Sequence, residues 1–328
     1  MQRGRCAVVG AGIAGLTCAR RLVEGGVAVT VFEREAAPGG RVAAHADHSG
    51  RYDLGAQYFT VVAERFATEV RRWQAAGIVE RWSGRIGALE GRTLTDKSAS
   101  AERFVGTPDM ARLASWLAEG IEIRCGAAVT DLHRSADGWH LEAGGRTTAP
   151  FETVLVALPT APACELLDGL TSLLDLARSV TWDPCWAVAL ALAQEARPEF
   201  EGAFINDDPI LGWAALDSAK PGRATVDGIV ERWVLHARPQ WSRRYADIEP
   251  QDAARWLIRS FSARLRCSLM PVAAHARLWR HAAPINPLPE RCLWDAAQRI
   301  GLAGDWCGGP KVEGAFLSGL ALAEAALG

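Results

Sequence analysis

A glycine-rich stretch near the N-terminus contains the residues best suited to hold a charged cofactor. Gly10-Ala-Gly-Ile-Ala-Gly15 has the pattern G-x-G-x-x-G and follows the apolar run Cys6–Val9, which is typical of a buried parallel strand. The first glycine of this pattern allows a tight turn, the second lets the backbone approach a pyrophosphate, and the third lets the helix pack on the strand. Free N–H groups of that helix face the anion. The predicted contacts are Gly10, Gly12, Ile13, Ala14 and Gly15.

An acidic residue and an arginine extend this site. The helix is predicted to continue to about Glu24, and the run Val27–Phe32 predicts a second strand that ends at Glu33, whose carboxylate can accept both ribose hydroxyls. Pro38-Gly-Gly-Arg41 follows, and its guanidinium suits a further set of phosphate oxygens. This combination favours FAD over a permanently bound NAD(P), and glycines used only in turns would not need a strand-helix-strand frame. The contacts predicted here are Glu33, Arg34, Gly40 and Arg41.

Length and composition exclude several classes of protein. The chain has 328 residues, of which 49% are hydrophobic, and this predicts two domains with a large core. A formal net charge of −2 without long runs of one sign argues against nucleic acid or an anionic membrane as a partner. The eight cysteines show neither a C-x-x-C pair nor zinc-site spacing, so we expect reduced thiols, no metal and a cytoplasmic location. No apolar run is long enough to span a bilayer.

Three further segments are predicted to complete the cofactor site. Asp53–Thr60 combines a glycine, an amide and two aromatic residues, which suits contact with a flat ring system and equally suits an ordinary strand edge. Gly304-Asp305 follows the predicted strand Ile300–Ala303, where a carboxylate can bind a ribityl hydroxyl. The predicted helix Ala315–Leu327 presents its N-terminus to a flavin where negative charge collects on reduction. The remaining predicted contacts are Gly55, Ala56, Gln57, Val129, Gly304, Asp305, Val312, Glu313, Gly314 and Ala315.

Helical and polar segments follow the first unit. Phe66–Trp73 has apolar residues at helical spacing and predicts a helix. Residues 83–103 are polar and contain glycine and serine, so they predict a surface excursion. Thr107-Pro-Asp109 predicts the start of another helix, with Thr107 as its N-cap.

Strand patterns dominate the middle of the chain. Alternating runs separated by turn signals predict a β-meander of Ile121–Cys125, Ala128–His133 and Trp139–Ala143. The run Phe151–Leu158 is almost continuously apolar, so it is predicted to return to the buried sheet of the first domain.

Residues after 160 predict a second domain that is rich in tryptophan. Strand-like runs occur at Trp186–Leu192, Ala203–Ile205 and Arg232–His236, and Gln251–Leu265 has a helical pattern. We therefore expect an α/β fold, in which a Rossmann-type FAD-binding domain with a β-meander adjoins an α+β substrate domain with a mostly antiparallel sheet. The FAD-binding domain is predicted to contain residues 1–60, 104–163 and 293–328, and the substrate domain residues 61–103 and 164–292.

Several motifs together give the chain a resemblance to a known family. Those similar to flavin amine-oxidase-type proteins are Glu33, Gly39–Arg41, Asp53–Thr60, Gly304–Cys307 and Val312–Gly319. Trp182–Trp186 and Trp233–Arg243 narrow the resemblance to the bacterial renalases, and the similarity covers nearly the full length. The resemblance implies a two-domain fold of the amine oxidase or p-hydroxybenzoate hydroxylase type. It also implies non-covalent FAD in one domain and the reacting molecule between the two.

The renalase resemblance implies a particular oxidation. The 2- and 6-dihydro isomers of NAD(P)H would be oxidised to NAD(P)+ by hydride transfer to flavin N5, and dioxygen would reoxidise the flavin to give hydrogen peroxide. A dihydropyridine ring is already a hydride donor, so stacking against the flavin supplies most of the effect and no general base is expected. The candidates for the substrate pocket, each of which also suits ordinary packing, are Tyr58, Trp186, His236, Trp241 and Trp279.

Two features depart from the pattern of the family. Ala282-Ala-Pro284 stands where related renalases carry an arginine, so recognition of the substrate's phosphate or amide is expected to differ. Cys307 raises the question of covalent FAD attachment. Because its sequence setting differs from that of the linking cysteine in some amine oxidases, we expect a packed thiol and non-covalent FAD.

Two alternatives stay open. A true amine oxidase or desaturase of the same superfamily is the first, but amine oxidases of this type hold a lysine near flavin N5, and Lys97, Lys220 and Lys311 are interpreted as poorly placed for that role. The second is a non-catalytic flavin or nucleotide sensor, for which an exposed apolar patch on the second domain is expected.

Overall fold

The structure is a computed structural model that describes residues 3–196 and 198–328. It contains two large β-sheets. In chain order the strands are β1 (Arg3–Val9), β2 (Val27–Phe32), β3 (His45–Asp47), β4 (Gly50–Tyr52), β5 (Val79–Arg81), β6 (Ile86–Glu90), β7 (Thr93–Asp96), β8 (Phe104–Gly106), β9 (Glu122–Arg124), β10 (Val129–Ser135), β11 (Gly138–Ala143), β12 (Arg146–Thr147), β13 (Thr153–Val156), β14 (Trp182–Leu192), β15 (Gly202–Ile205), β16 (Leu211–Leu216), β17 (Glu231–Ala237), β18 (Pro271–Pro284), β19 (Leu293–Asp295) and β20 (Ile300–Leu302). The α-helices are α1 (Ile13–Glu24), α2 (Glu64–Ala75), α3 (Ala111–Leu117), α4 (Thr160–Leu166), α5 (Leu174–Arg178), α6 (Pro239–Arg244), α7 (Pro250–Leu265) and α8 (Lys311–Leu327). Short 3-10 turns occur at Gly40–Val42, Ser98–Ser100 and Asp217–Ala219.

The first sheet is parallel at its centre and has the strand order β19-β20-β13-β1-β2-β9. β1 pairs in parallel with both β2 and β13, with Val9 opposite Phe32 and Val156. These strands are almost continuously apolar because helices or other layers cover both faces of the sheet. The return of Phe151–Leu158 to this sheet is thus confirmed. Since the carboxyl ends of parallel strands meet at one edge, the turn at Gly10 opens into a crevice there.

The predicted β-meander is only partly correct. β10, β11 and β12 form a separate three-stranded antiparallel sheet. The first predicted strand instead becomes β9, which pairs in parallel with β2, with Ile123 opposite Val31. Alternation in a short run does not reveal the direction of its partner strand, so this assignment was wrong.

Helices α1 and α8 pack closely beside the first sheet. A side chain at Gly319 would collide with the carbonyl oxygen of Ala14, so glycine at this position allows the two helices to approach each other. α8 begins at Lys311, four residues before the predicted start at Ala315. Its first turn therefore contains Val312–Gly314, which precede the predicted helix.

The second sheet has the strand order β18-β14-β17-β16-β15-β6-β7 and is antiparallel except where β15 pairs with β6. The predicted strands around Trp186, Ala203 and Arg232 are confirmed as β14, β15 and β17. β6 and β7 lie within residues 83–103, so the predicted surface excursion was wrong. Their register is set by a partner more than 100 residues away, with Ile86 opposite Gly202.

The helix signal at Thr107 was also misassigned. Thr107-Pro108 is a cis peptide bond, and α3 begins at Ala111. Asp109 Oδ1 accepts a hydrogen bond from the Ala111 N–H at 3.0 Å, so the aspartate has the capping role that the sequence analysis gave to the threonine.

The architecture is a mixed α/β fold, with a Rossmann-type domain and a second domain built on a mostly antiparallel sheet. The domain boundaries stay a prediction, and Met1, Gln2 and Arg197, which they include, lie outside the described residues. Within the described ranges, no helix has the length and apolar character needed to cross a bilayer.

Candidate cofactor and substrate site

The glycine-rich turn has the geometry of a phosphate-binding loop. Gly10 has φ +102°, and a side chain at Gly15 would collide with the Gly10 carbonyl oxygen. Gly12 precedes α1 and borders open space, because a Cβ built there meets no atom within 4 Å. The first turn of α1 has no side-chain cap, so its N–H groups are available to an anion in that space.

Glu33 is fixed at the carboxyl end of β2. The residue is 7% exposed, and its two carboxylate oxygens accept the N–H groups of Ala11 at 2.8 Å and Glu35 at 2.9 Å. A carboxylate oxygen can accept a second hydrogen bond, so both remain able to bind ribose hydroxyls. The Ala127 N–H donates to the Glu33 carbonyl, which places Val129 at the start of β10 near this acid. Arg34 is exposed and pairs with Glu35.

Arg41 and Asp305, which the sequence analysis assigned to separate parts of the cofactor, pair with each other. The guanidinium donates to the two carboxylate oxygens at 2.6 and 2.8 Å, and also to the Ala282 carbonyl at 3.2 Å. It lies over the Trp182 ring, 5.2 Å from its centroid. The bidentate pair joins the two chain segments that flank the crevice, and the half-exposed Arg41 retains donors for a phosphate.

The segment after β4 packs on the glycine-arginine turn. The Ala56 N–H donates to the Arg41 carbonyl at 2.9 Å, and a side chain at Gly55 would collide with that carbonyl oxygen. Gly55 and Ala56 keep exposed surface although Leu54 and Gln57 on either side are buried.

Contacts connect partly exposed positions from the glycine-rich turn to the second sheet. A side chain at Gly40 would touch Gly12, the Ala56 N–H donates to the Arg41 carbonyl, and two side chains of the second sheet contact the Leu54 carbonyl. The partly exposed positions along this path are Gly12, Gly40, Arg41, Gly55, Ala56, His236 and Trp279. The path begins at the open helix N-terminus, passes the arginine and reaches the second sheet. Its anion-binding end, its carboxylate acceptor and its backbone-lined middle fit an extended dinucleotide such as FAD.

His236 and Trp279 bring the second domain to the cofactor segment. His236 Nε2 and Trp279 Nε1 lie 3.0 and 3.1 Å from the carbonyl oxygen of Leu54. Burial lowers the pKa of His236 to about 4, with the positive charge of Lys220 acting in the same direction and the hydrogen bond to Leu54 acting against it. The imidazole is therefore neutral at pH 7 and donates through Nε2.

The five aromatic candidates do not lie on one surface. Successive residues of a strand face opposite sides of a sheet. Trp186 and Trp241 lie in the apolar core under α6 and α7, where Trp186 Nε1 donates to the Tyr245 carbonyl at 2.9 Å. Trp279 packs with Leu54 on the opposite face. The assignment of Trp186 and Trp241 to the ring-facing pocket is therefore corrected, because the parity of β14 directs the first toward the helices.

Tyr58 lies on the same side of the second sheet as His236. Its ring centroid is 5.7 Å from that of Trp213 and 6.1 Å from that of Trp82. Trp213 stands directly opposite His236 in the pairing of β16 with β17. The sequence analysis did not select Trp213, although it occurs in a run, Leu211–Leu216, that resembles the strands that were recognised.

A buried group of four charges lies beside Gln57. Lys220 Nζ is 2.7 Å from Asp217 Oδ1 and 3.2 Å from both Asp53 Oδ2 and Gln57 Oε1. Arg223 pairs with Asp53 and lies 3.6 Å from Asp217. Burial raises the pKa of Asp217, and the two cations oppose that rise. Lys220, which is interpreted as poorly placed for the lysine of an amine oxidase, lies in this buried group beside Gln57. Its spacing of three residues from Asp217 was the available signal for their pairing.

The C-terminal segment contributes mainly backbone groups to the candidate site. Glu313 Oε1 accepts the N–H groups of Val62 and Ala63 at 3.1 and 2.5 Å, so its carboxylate binds the backbone immediately before α2. A side chain at Gly314 would collide with the Gly309 carbonyl oxygen. The Gly304 N–H donates to Ser318 Oγ at 2.9 Å, which anchors the turn before Asp305 to α8.

Cys307 is fully buried near this turn. Burial raises its pKa well above the ordinary range, so the sulfur is a thiol at neutral pH. A thiol of this kind is a poor nucleophile. Among residues 3–196 and 198–328, no group of three or more His, Cys, Asp or Glu side chains could hold a metal ion.

Comparisons with known proteins agree with this architecture. The family described as an NAD(P)-binding Rossmann-like domain matches residues 8–72. A putative protoporphyrinogen oxidase from Exiguobacterium sp. 255-15 has a TM-score of 0.77 at 13% identity, over 100% of this chain and 99% of that chain. An oxidoreductase from Methanosarcina mazei has a TM-score of 0.72 at 13% identity, over 98% and 100%. Cyclohexylamine oxidase from Brevibacterium oxydans IH-35A has a TM-score of 0.71 at 12% identity, over 99% and 98%. The chain shares its two-domain fold with these structures.

Proposed function

We propose that the protein is an FAD-dependent oxidase of the renalase type. It oxidises 2- or 6-dihydro isomers of NAD(P)H to NAD(P)+, with dioxygen as the electron acceptor and hydrogen peroxide as the second product. The observation that carries the proposal is the double hydrogen bond from His236 and Trp279 to the Leu54 carbonyl. It holds an aromatic face of the second sheet against the segment that lines the dinucleotide path, and the flat substrate ring is proposed to bind beside this face.

The residues of the path have separate roles in holding the cofactor. The N-terminus of α1 beyond Gly12 binds the pyrophosphate, and Glu33 accepts the ribose hydroxyls. Arg41 and Asp305 place a guanidinium and a carboxylate on the middle of the path. FAD, when bound, supplies the hydride acceptor and the site at which dioxygen is reduced.

The protein's contribution to the chemistry is orientation and exclusion of water. A dihydropyridine gives up a hydride without loss of a proton from its ring nitrogen, so the site needs no general base. His236 agrees with this requirement, because burial lowers its pKa to about 4 and so makes its free nitrogen a weak base. Fixing the ring at reacting distance is worth several kcal/mol, of the roughly 7–11 kcal/mol available from proximity and orientation.

An amine oxidase is the second candidate function, because the chain shares its fold with cyclohexylamine oxidase. Lys220 is engaged by two carboxylates and by Gln57, which leaves this buried ammonium little freedom to act on a substrate.

A stopped-flow experiment separates the two candidates. Purified protein loaded with FAD is mixed anaerobically with 2- or 6-dihydro-NAD and, separately, with a panel of primary amines. Rapid bleaching of the flavin by the dihydro isomers alone is the expected result. Bleaching by amines alone would replace the proposal with the amine oxidase, and bleaching by neither would favour a flavin or nucleotide sensor.

A further inference from the structure

The second sheet ends in a long strand whose outer edge is open. β18 is 14 residues long, and among the described residues β14 is its only partner strand. Their pairing is regular from Cys185 opposite Trp279 to Ala191 opposite Ala273. Neither a proline nor a bulge interrupts this stretch, although both are common devices that keep an edge strand from pairing with another chain. The edge is therefore suited to a further strand.

The direction of the backbone groups along β18 follows from its partner. The Trp186 N–H donates to Ser242 Oγ at 3.0 Å, on the side of β14 where β17 and α6 lie. Because these groups alternate along a strand, the odd-numbered residues of β14 face β18. They pair with odd-numbered residues of β18, so the even-numbered ones direct N–H and C=O outward. Those of Ala274, Ala276, Leu278 and Arg280 form no hydrogen bond within residues 3–196 and 198–328.

A cavity of about 520 Å³ adjoins this edge. Its lining includes Ala276, Leu278 and Arg280 together with the segment 246–250, which joins α6 to α7. This segment supplies the side chains of Asp247 and Glu249. Arg280 lies 3.4 Å from Asp247, and no cation of the described chain lies within ion-pair distance of Glu249. The cavity therefore has a carboxylate available for a further cation.

We propose that a second copy of this chain pairs its own β18 with this edge, antiparallel and about a twofold axis at Leu278. Leu278 then stands opposite Leu278 of the second copy, and Ala276 stands opposite the second copy's Arg280. The outward N–H and C=O groups of these residues bond to each other across the axis. Side chains of directly opposite residues share one face of a sheet, so the second copy's Arg280 enters the cavity beside Asp247 and Glu249.

The charges on β18 favour this register. An axis at Arg277 or at Arg280 would place a guanidinium directly opposite its own copy, which is destabilising. An axis at Leu278 places Arg277 opposite the second copy's Trp279. Within one chain the Arg277 guanidinium already lies over the Trp279 ring, 4.1 Å from its centroid. Glu35 lies 3.8 Å from Arg277, so a carboxylate offsets the charge of the two arginines that this axis brings near each other.

Sedimentation velocity of the purified chain tests the proposal. The measurement covers about 1–100 μM, so that a Kd in the micromolar range is resolved. We expect a reversible dimer of two 35.3 kDa chains. A single species of 35.3 kDa over the whole range would overturn the inference. Association requires neither FAD nor turnover, so the inference goes beyond the proposed function and stands or falls separately from it.

Charge reversal assigns the contact to the cavity. Arg280→Glu would place a carboxylate beside Asp247 and Glu249, and we expect it to raise the dimer Kd by at least about tenfold. Adding Glu249→Arg restores an opposite charge and should recover at least about threefold of that loss. Arg146→Glu makes the same charge change at an exposed position of β12 and is the matched control, with an unchanged Kd expected. An unchanged Kd in Arg280→Glu would place the contact elsewhere and overturn the inference.

Two further substitutions at the same position separate backbone pairing from charge. Arg280→Ala removes only the guanidinium, whereas Arg280→Pro also removes an outward N–H and leaves the bonds to β14 in place. The dimer loses one such N–H from each copy, so we expect Arg280→Pro to associate at least about tenfold more weakly than Arg280→Ala. Equal Kd values for the two variants would show that the strand edge is not used. If Arg280→Pro does not fold, Arg280→Glu decides the question.

Cross-linking tests the register. Leu278→Cys and Ala274→Cys are each made with Cys125→Ser, which removes an exposed native thiol. The axis at Leu278 places the two introduced cysteines about 5 Å apart in the first variant and about 27 Å apart in the second. We therefore expect a short bismaleimide to give a covalent dimer of Leu278→Cys and none of Ala274→Cys. A covalent dimer of Ala274→Cys alone, or of both equally, would overturn the proposed pairing.

Discussion

At the scale of single residues, the chemistry of the site depends on which donors and acceptors already form hydrogen bonds within the protein. The Leu54 carbonyl accepts hydrogen bonds from His236 and Trp279, so one backbone oxygen fixes two side chains of the other domain. Both side chains were predicted from the sequence as pocket candidates. Trp186 and Trp241 were predicted as well, because aromatic type does not show on which face of a strand a residue lies until the register is known.

Loss of the Glu33 carboxylate is expected to weaken FAD binding. Charged hydrogen bonds are worth about 1.5–3 kcal/mol each, so Glu33→Ala should raise the Kd for FAD by at least about tenfold. Dialysis followed by flavin absorbance measures the FAD retained. Glu35→Ala is the control, because it alters an exposed neighbouring carboxylate while its backbone N–H is kept. Full flavin occupancy in Glu33→Ala would remove this residue from the site.

His236 is expected to make the protein less stable in acid. Its pKa is lowered from 6.5 to about 4 in the folded protein, so the unfolded chain takes up a proton first as the pH falls. Stability is therefore lost progressively from about pH 6.5 to pH 4, by roughly 2–3 kcal/mol. Urea unfolding at pH 7 and pH 4 should show this loss in the unaltered protein and a loss smaller by that amount in His236→Phe. Equal losses would show that the imidazole is not held neutral.

At the scale of elements, runs of apolar residues predicted the central strands and the longer helices. Both faces are buried in the central strands β1, β2, β13 and β14. Their apolar runs therefore predict strands even when the partner strand is unknown. β6 did not carry this signal, because this short strand depends on a neighbour distant in the chain. β9 was predicted as a strand, but its partner was not, because that partner also lies far away in the chain. Of the cofactor path, the glycine turn and Glu33 were predictable as one local unit, whereas the pairing of Arg41 with Asp305 joins segments from opposite ends of the chain.

The close packing of α1 on α8 is expected to be necessary for the phosphate site. Gly319→Ala would place a methyl group against the Ala14 carbonyl in the first turn of α1, which carries the N–H groups proposed to bind the pyrophosphate. Ordinary glycine to alanine changes in a helix stabilise by about 1 kcal/mol. Here overpacking should instead cost about 1–3 kcal/mol and weaken FAD binding. Chemical unfolding and FAD titration measure the two effects, and a stabilised variant with normal affinity would contradict this packing argument.

At the scale of the whole molecule, a buried electrostatic group joins the two domains. Asp53 belongs to the cofactor segment, whereas Asp217, Lys220 and Arg223 follow a strand of the second sheet. Two carboxylates and two cations balance, and all four side chains are at most 2% exposed. No periodicity in the sequence reveals such a group, since its members are up to 170 residues apart.

Removing one charge from this group is expected to be costly. Lys220→Met leaves an uncompensated buried carboxylate and should lower the free energy of unfolding by about 3–5 kcal/mol. Asp217→Asn combined with Lys220→Met restores the balance and should recover at least about 1 kcal/mol of that loss. Lys97→Met, at an exposed lysine, is the control and should change stability by less than about 0.5 kcal/mol. Urea unfolding measures all three, and a double variant no more stable than Lys220→Met would show that charge balance is not the cause.

The capacity of the folded chain to hold FAD is the central claim, and equilibrium titration of the cofactor-free protein with FAD tests it most directly. The path from Gly12 through Glu33 and Arg41 to Leu54 predicts saturable binding of about one FAD per chain, with a perturbed flavin spectrum that persists after gel filtration. A folded protein that takes up no FAD would contradict the assignment of this path and the oxidation chemistry proposed for it.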